Sequence, residues 1–219
     1  MEALGLTLAR PAVLPADLTT VPAGAKLAVV AAEEPIDRTR HLALSRQAGG
    51  VFASFLPFRP GVGRSAAVSA RVAAEPEPFE AALAEVAGCE VIVLTICVNT
   101  KSSASSEASV PEAGWLRARA DARQRRHAAL AEAAERGAAV LARTQVRPKA
   151  IRRACYPTGV DLLLLFPRDE APRVRAQLSE AAATVPLRHP WSGVTVTGPW
   201  PCYGFGPPTA ASEIPRGHR

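Results

Sequence analysis

The chain has 219 residues, 48% of them hydrophobic, with mean hydropathy +0.06 and a formal charge of +6, and that much apolar content suffices for one or two globular cores. No apolar run approaches the ~20 residues that span a bilayer, and the N-terminal "MEALGLTLARP" has neither the basic start nor the long apolar stretch of a secretory signal, so a soluble, cytoplasmic protein is expected. Cys89, Cys97, Cys155 and Cys202 form no CxxC pair, and His41, His127, His189 and His218 are scattered. The expectation is reduced thiols, no metal and no cofactor.

In chain order, "LGLTLA" (4–9) and "KLAVVAA" (26–32) read as strands, and the proline-broken stretch between them as a loop. "DRTRHLALSRQAGG" (37–50) predicts a helix capped by Asp37, ended by Gly49-Gly50, with Leu42 and Leu44 turned to the core. "VFASFLPF" (51–58) predicts a third strand. Residues 65–88, broken at "EPEP", carry Phe79, Leu83 and Val86 at helical spacing. "CEVIVLTICV" (89–98) is continuously apolar, which predicts a strand covered on both faces.

Residues 99–114 are Ser/Ala-rich and serve as the predicted linker. A helix follows from Trp115 to about Arg143, with Leu116, Ala120, His127, Leu130 or Ala131, Ala134 and Leu141 along one packed side. "AIRRACY" (150–156) and "GVDLLLLFPR" (159–168) make a hairpin, 171–185 a helix and "SGVTVTG" (192–198) a last strand. The fold class is α+β in two small domains, 1–98 and 115–219, the second a short antiparallel sheet with helices that carries a proline/aromatic tail.

Among the described motif classes, no P-loop, GxGxxG, GxSxG or HExxH supplies a reaction centre, so the reading is non-enzymatic. "RARADARQRR" places Arg117, Arg119, Arg123, Arg125 and Arg126 against one acid, Asp121, on more than one helix face, a solvated or partner-facing surface before a nucleic-acid site. "GGVFASFLPF" resembles the aromatic strand of an RNA-recognition motif, but Phe55 falls on the face opposite Phe52 and Phe58. An RNA-binding module with an RRM-like domain and an Arg-rich helix is the alternative; nucleic acid is not among the expected partners.

"TGPWPCYGFGPP" (197–208) is stiffened by prolines and holds Trp200, Tyr203 and Phe205, rings that bury on the order of 150–250 Å² each. It predicts a rigid extended arm leaving the last strand, and two uses stay open: docking on a partner, or packing back on its own body across the junction of the halves.

The segments Leu56-Pro57-Phe58-Arg59 and Gly198-Pro199-Trp200-Pro201, continued by Tyr203 and Phe205, with "GCEVIVLTICV", "GWLRAR" and "VDLLLLFPR" in order between them, resemble the gas vesicle protein family GvpL/GvpF over nearly the whole chain. Cys202 stands where a proline is usual, and "RPGVG" replaces the more typical "RFGT". The resemblance implies two α+β domains, a ferredoxin-like N-terminal half, and a non-enzymatic assembly or minor structural factor associated with gas vesicles. Its implied partners are the small GvpA-like shell protein and other accessory gas vesicle proteins, contacted through residues that include the two quoted segments.

Overall fold

A computed structural model describes residues 1–8, 14–33, 36–98, 112–185 and 191–207. Two compact units divide the chain: Met1–Val91 together with the stretch from Trp200 onward, and Ile92–Pro199.

The first unit is built on a four-stranded sheet in the order β2-β3-β1-β4, from β1 (Glu2–Thr7), β2 (Thr19–Pro22), β3 (Ala28–Ala32) and β4 (Phe55–Pro57), with all three pairings antiparallel. β3 is buried at all five positions, so both of its faces are covered. Helix α1 (Arg38–Val51) covers one, its Leu44 and Ala48 joining Leu4, Val30, Ala32, Phe52 and Phe55 in one core cluster. Helices α2 (Ser65–Ala74) and α3 (Glu77–Glu85) follow, α2 lying on β3, β2 and β1 and tied to β2 by the Ser69 hydroxyl donating to the Pro22 carbonyl. β1 passes so close to β4 that a Cβ on Gly5 would collide with the Phe55 ring and the Leu56 carbonyl.

Asp37 caps α1 as the sequence indicated, its carboxylate accepting from the Arg40 N–H at 2.7 Å. Three features differ from the reading above. The proline-rich loop contains β2, a four-residue strand that ends on Pro22 at the sheet edge, where a missing N–H costs no ladder bond. α1 continues through Gly49-Gly50 to Val51, which shortens the expected strand 51–58 to three residues. The strand at 89–98 belongs to the other sheet.

That strand, β5 (Cys89–Val98), opens the succession β5, α4 (Glu112–Thr144), β6 (Ala150–Tyr156), β7 (Gly159–Pro167), α5 (Ala171–Ala183), β8 (Trp191–Trp200), with strand order β6-β7-β5-β8. A βαββαβ chain folded into an antiparallel sheet with its first strand inside is the ferredoxin-like arrangement. The α+β class with two four-stranded antiparallel sheets is therefore as expected, but the ferredoxin-like succession lies in 89–200, not in the N-terminal half. From Ile92 onward β5 is covered on one face only: Ile92, Leu94, Ile96 and Val98 are buried against α4 and α5, while Val93, Thr95 and Cys97 are half-buried on the other side. There the Thr95 hydroxyl donates to Asp161 Oδ1 at 2.7 Å. Gly137 allows α4 to lie against the sheet, since a Cβ there would strike Leu162 and Ile96.

The helical stripe expected along all of α4 exists only in its C-terminal half. Ala133, Val140 and Leu141 are buried there, with Ala129, Leu130 and Ala134 partly so, whereas every residue from 115 to 128 is exposed. Of the expected linker, 99–111 lie outside the described residues and 112–114 open α4. The sequence reading also grouped the tail with the second half; the compact units group the stretch from Trp200 with Met1–Val91.

Candidate protein-interaction site

Both segments that the sequence singled out are part of the first unit's packing, and α1 is the element that receives them. Leu56 and Phe58 are buried, Pro57 is half-buried and Arg59 alone is exposed. β4 places Leu56 opposite Leu6 and Pro57 opposite Gly5, and the Phe58 N–H donates to the Leu4 carbonyl at 2.8 Å. His41, wholly buried on α1, sets its Nε2 3.0 Å from the Phe58 carbonyl. Its Nδ1 lies 3.7 Å from Glu2 Oε1, the same oxygen that accepts from the Gly61 N–H at 3.1 Å.

The terminal segment does not leave the sheet at Gly198. β8 continues through Pro199 to Trp200, which an edge strand tolerates because its outer side needs no donor. Gly198 has φ 115°, a backbone angle closed to residues with a Cβ, and the Gly198–Pro199 peptide is cis. Beyond Trp200 the chain turns instead of extending. The Tyr203 N–H donates to the Pro201 carbonyl at 2.6 Å, and Phe205 and Cys202 are fully buried. The Cys202 thiol donates to the Cys89 carbonyl at 3.3 Å. Trp200 is half-buried with the Arg46 guanidinium 4.0 Å above its ring, a cation–π pair. Burial pushes the Tyr203 phenol above its ordinary 10.0, with the Ser45 hydroxyl and the Arg46 charge pulling partly the other way.

His41, Ser45 and Gly49 thus form one stripe on α1, at i, i+4 and i+8, that meets Phe58, Tyr203 and Pro201 in turn. Sequence reasoning passed over this stripe because it sought apolar periodicity. The available signal was polar and small residues recurring every four positions beside Leu44 and Ala48.

The basic cluster is arranged the other way. Arg117, Arg119, Arg123, Arg125 and Arg126 all lie in the fully exposed half of α4. Helical geometry aligns Arg119, Arg123 and Arg126 with Trp115, which is 51% exposed and has the Arg119 guanidinium 5.0 Å from its ring. Leu116, 68% exposed, stands beside this line. The exposed half rises about 20 Å along its axis at ~1.5 Å per residue. The aromatic strand suggested for RNA fails in a second way: Phe52, Phe55 and Phe58 are buried, and they belong to the unit that is not ferredoxin-like.

The family model for "Gas vesicle synthesis protein GvpL/GvpF" matches residues 8–207. The chain belongs to the GvpL/GvpF family. The crystal structure of gas vesicle protein GvpF from Microcystis aeruginosa is similar over 93% of this chain and 97% of its own, with TM-score 0.61 and 9% identity. GvpF from Anabaena sp. PCC7120 is similar over 93% and 96%, with TM-score 0.55 and again 9% identity. At this identity the two structures speak for a shared fold. No curated protein sequence matches the chain. Both quoted GvpL/GvpF segments, Leu56–Arg59 and Gly198–Phe205, fall inside the matched region. Among the described residues no helix is long and apolar enough to cross a membrane.

Proposed function

We propose that this GvpL/GvpF protein is a gas vesicle assembly or minor structural factor that works by binding, and that the exposed half of α4 is its principal contact surface. The partners are the GvpA-like shell protein and sibling accessory proteins, in the cytoplasm at the forming vesicle. The observation that carries this reading is the helix itself. A segment as short as 115–128, with its five arginines, is marginal as an isolated helix in water, and packing within its own unit supports only the C-terminal half of α4. A helix polar on all sides is well suited to bridging between polypeptides. Trp115, Leu116 and the aligned arginines supply the residue types that dominate protein interfaces.

The two quoted segments take a supporting part in this proposal. Trp200 and Tyr203 latch the segment after β8 to α1, Phe205 is buried in the same unit, and Leu56, Pro57 and Phe58 seat the strand beneath, so their contribution to partner binding is through the stability of that unit. Arg59, exposed at the end of β4, is the member of those segments open to a partner.

Replacing Arg119, Arg123 and Arg126 together by Glu tests the proposal. Unfolding midpoints are expected to stay put, because these side chains make no core contacts. Vesicle formation in cells, read as buoyancy, and co-purification of gas vesicle proteins are expected to fail. Normal vesicles with an unchanged partner set would overturn the assignment of α4. Loss of a salt-sensitive RNA interaction, with protein partners retained, would move the reading to nucleic acid.

A further inference from the structure

A second feature of the ferredoxin-like unit is independent of the α4 surface. β6 is an edge strand, the last in the order β6-β7-β5-β8, and no other described strand lies beyond it. Its seven residues pair with β7 in unbroken register, from Ala150 opposite Leu165 to Tyr156 opposite Gly159, without a bulge. It contains no proline or glycine. Of the devices that blunt an exposed edge, its own sequence carries the charges of Arg152 and Arg153. No described strand takes up its outward N–H and C=O groups.

The side chains around this edge have a definite character. Ile151 is 53% exposed, and Arg153 and Cys155 follow it on the same face, opposite the buried Leu164, Leu162 and Val160 of β7. The helices cover that face of β7 but stop short of β6. Where β6 begins, Ile151 is one wall of an open groove of ≈ 650 Å³, with Leu141, Val146 and Pro148 as its other apolar lining and Gln145 and Arg147 at its polar margin. Gln145, in the left-handed conformation at φ 56°, closes α4 and turns the chain into this groove. Between 143 and 156 the chain carries Arg143, Arg147, Lys149, Arg152 and Arg153 and no carboxylate.

We infer that the outer edge of β6 takes up an extended peptide segment alternating apolar and acidic residues, which adds a strand to the sheet. Backbone hydrogen bonds to β6 hold it, one apolar side chain enters the groove beside Ile151, and acidic side chains meet the bordering cations. Charge selects this occupant over a second copy of the chain, because pairing two β6 strands about their centre would set Arg153 of one against Arg153 of the other, and like charges facing across strands destabilise. The strand-adding mode also separates this site from α4, where contact is through side chains alone.

The test uses the full chain and a labelled synthetic peptide of about ten residues alternating Val and Glu, followed by fluorescence anisotropy. Two controls accompany it: a Val/Lys peptide of equal length, and the Val/Glu peptide with alternate backbone amides N-methylated. Saturable binding is expected for the Val/Glu peptide only, with slowed amide hydrogen exchange confined to 150–156. Arg153→Glu is expected to weaken it about tenfold, an attraction turned into a repulsion at a partly exposed site. Ile151→Ser, at an exposed position that does not hold the fold, is expected to weaken it through the groove. Absence of binding, equal binding of either control peptide, or indifference to both substitutions overturns the proposal. So does concentration-dependent dimerisation that competes with the peptide, since it would make a second copy the occupant. Each of these outcomes leaves the vesicle assembly reading of α4 as it stands.

Discussion

The segment after Gly198 and the first half of α4 each concentrate the residue types associated with binding, and they have opposite fates. Trp200, Tyr203 and Phe205 are drawn into the packing of the first unit, to the point that Phe205 has no exposed surface. The α4 segment from 115 to 128 carries as many conspicuous residues and buries none. The difference follows from what each group loses on leaving water. A phenyl ring gains free energy wherever a cavity of its shape exists, and the first unit supplies one. Five guanidinium groups would each need a partner before burial became favourable. A proline-stiffened aromatic segment is thus as well suited to closing its own fold as to docking elsewhere, and stiffness alone does not distinguish the two.

The sharpest test of this contrast is Phe205→Ala. A fully buried ring removed from a packed site is expected to destabilise the first unit by ~3–5 kcal/mol, read as a lower urea midpoint at unchanged slope. A loss under ~1 kcal/mol would mean that the segment is held only loosely, and the contrast with α4 would collapse.

A smaller effect is expected from Tyr203→Phe, and it depends on pH. Burial raises the phenol above 10.0 in the folded protein, so the folded state holds its proton more tightly than the unfolded chain. The stability that comes from this difference is fully present below pH 10.0 and is lost as pH rises through the raised value. The wild type should therefore lose stability more steeply than the Phe variant above pH 10.0, and parallel curves would show that the ring is solvated.

Gln145→Gly probes the end of α4. A non-glycine residue at φ 56° costs about 1 kcal/mol, and glycine is expected to recover part of that as a higher melting temperature. The smallest change belongs to Leu116→Ala: at 68% exposure, stability should move by no more than ~0.5 kcal/mol. A drop comparable to that of Phe205→Ala would show that the exposed half of α4 is packed in the protein as it exists in solution.

Much of the fold was legible because its signals are local. Asp37 followed by a helical pattern marked the start of α1, the unbroken apolar run from Cys89 to Val98 coincided with β5, and two branched runs separated by Pro157-Thr158 located the β6–β7 hairpin to the residue or nearly so. The family segments were equally readable as sequence. Their placement was not. β2 escaped notice because four residues ending on proline carry no period of their own, and they are held by pairing with β3. The polar stripe of His41, Ser45 and Gly49 was hidden since its partners lie far along the chain at Phe58, Pro201 and Tyr203.

By itself the sequence determined the order and type of every element but β2, the α+β class and the membership in GvpL/GvpF, because each depends on side-chain periodicity, caps or a short motif read within a few turns of chain. Only the tertiary structure decided that β5 enters the second sheet, which makes that unit and not the first ferredoxin-like, that Trp200 and Tyr203 close on α1, and that half of α4 is left bare. The physical reason is that strand partnership and burial are settled by competition among distant segments for the same edges and cavities, and no window of sequence contains the competitors.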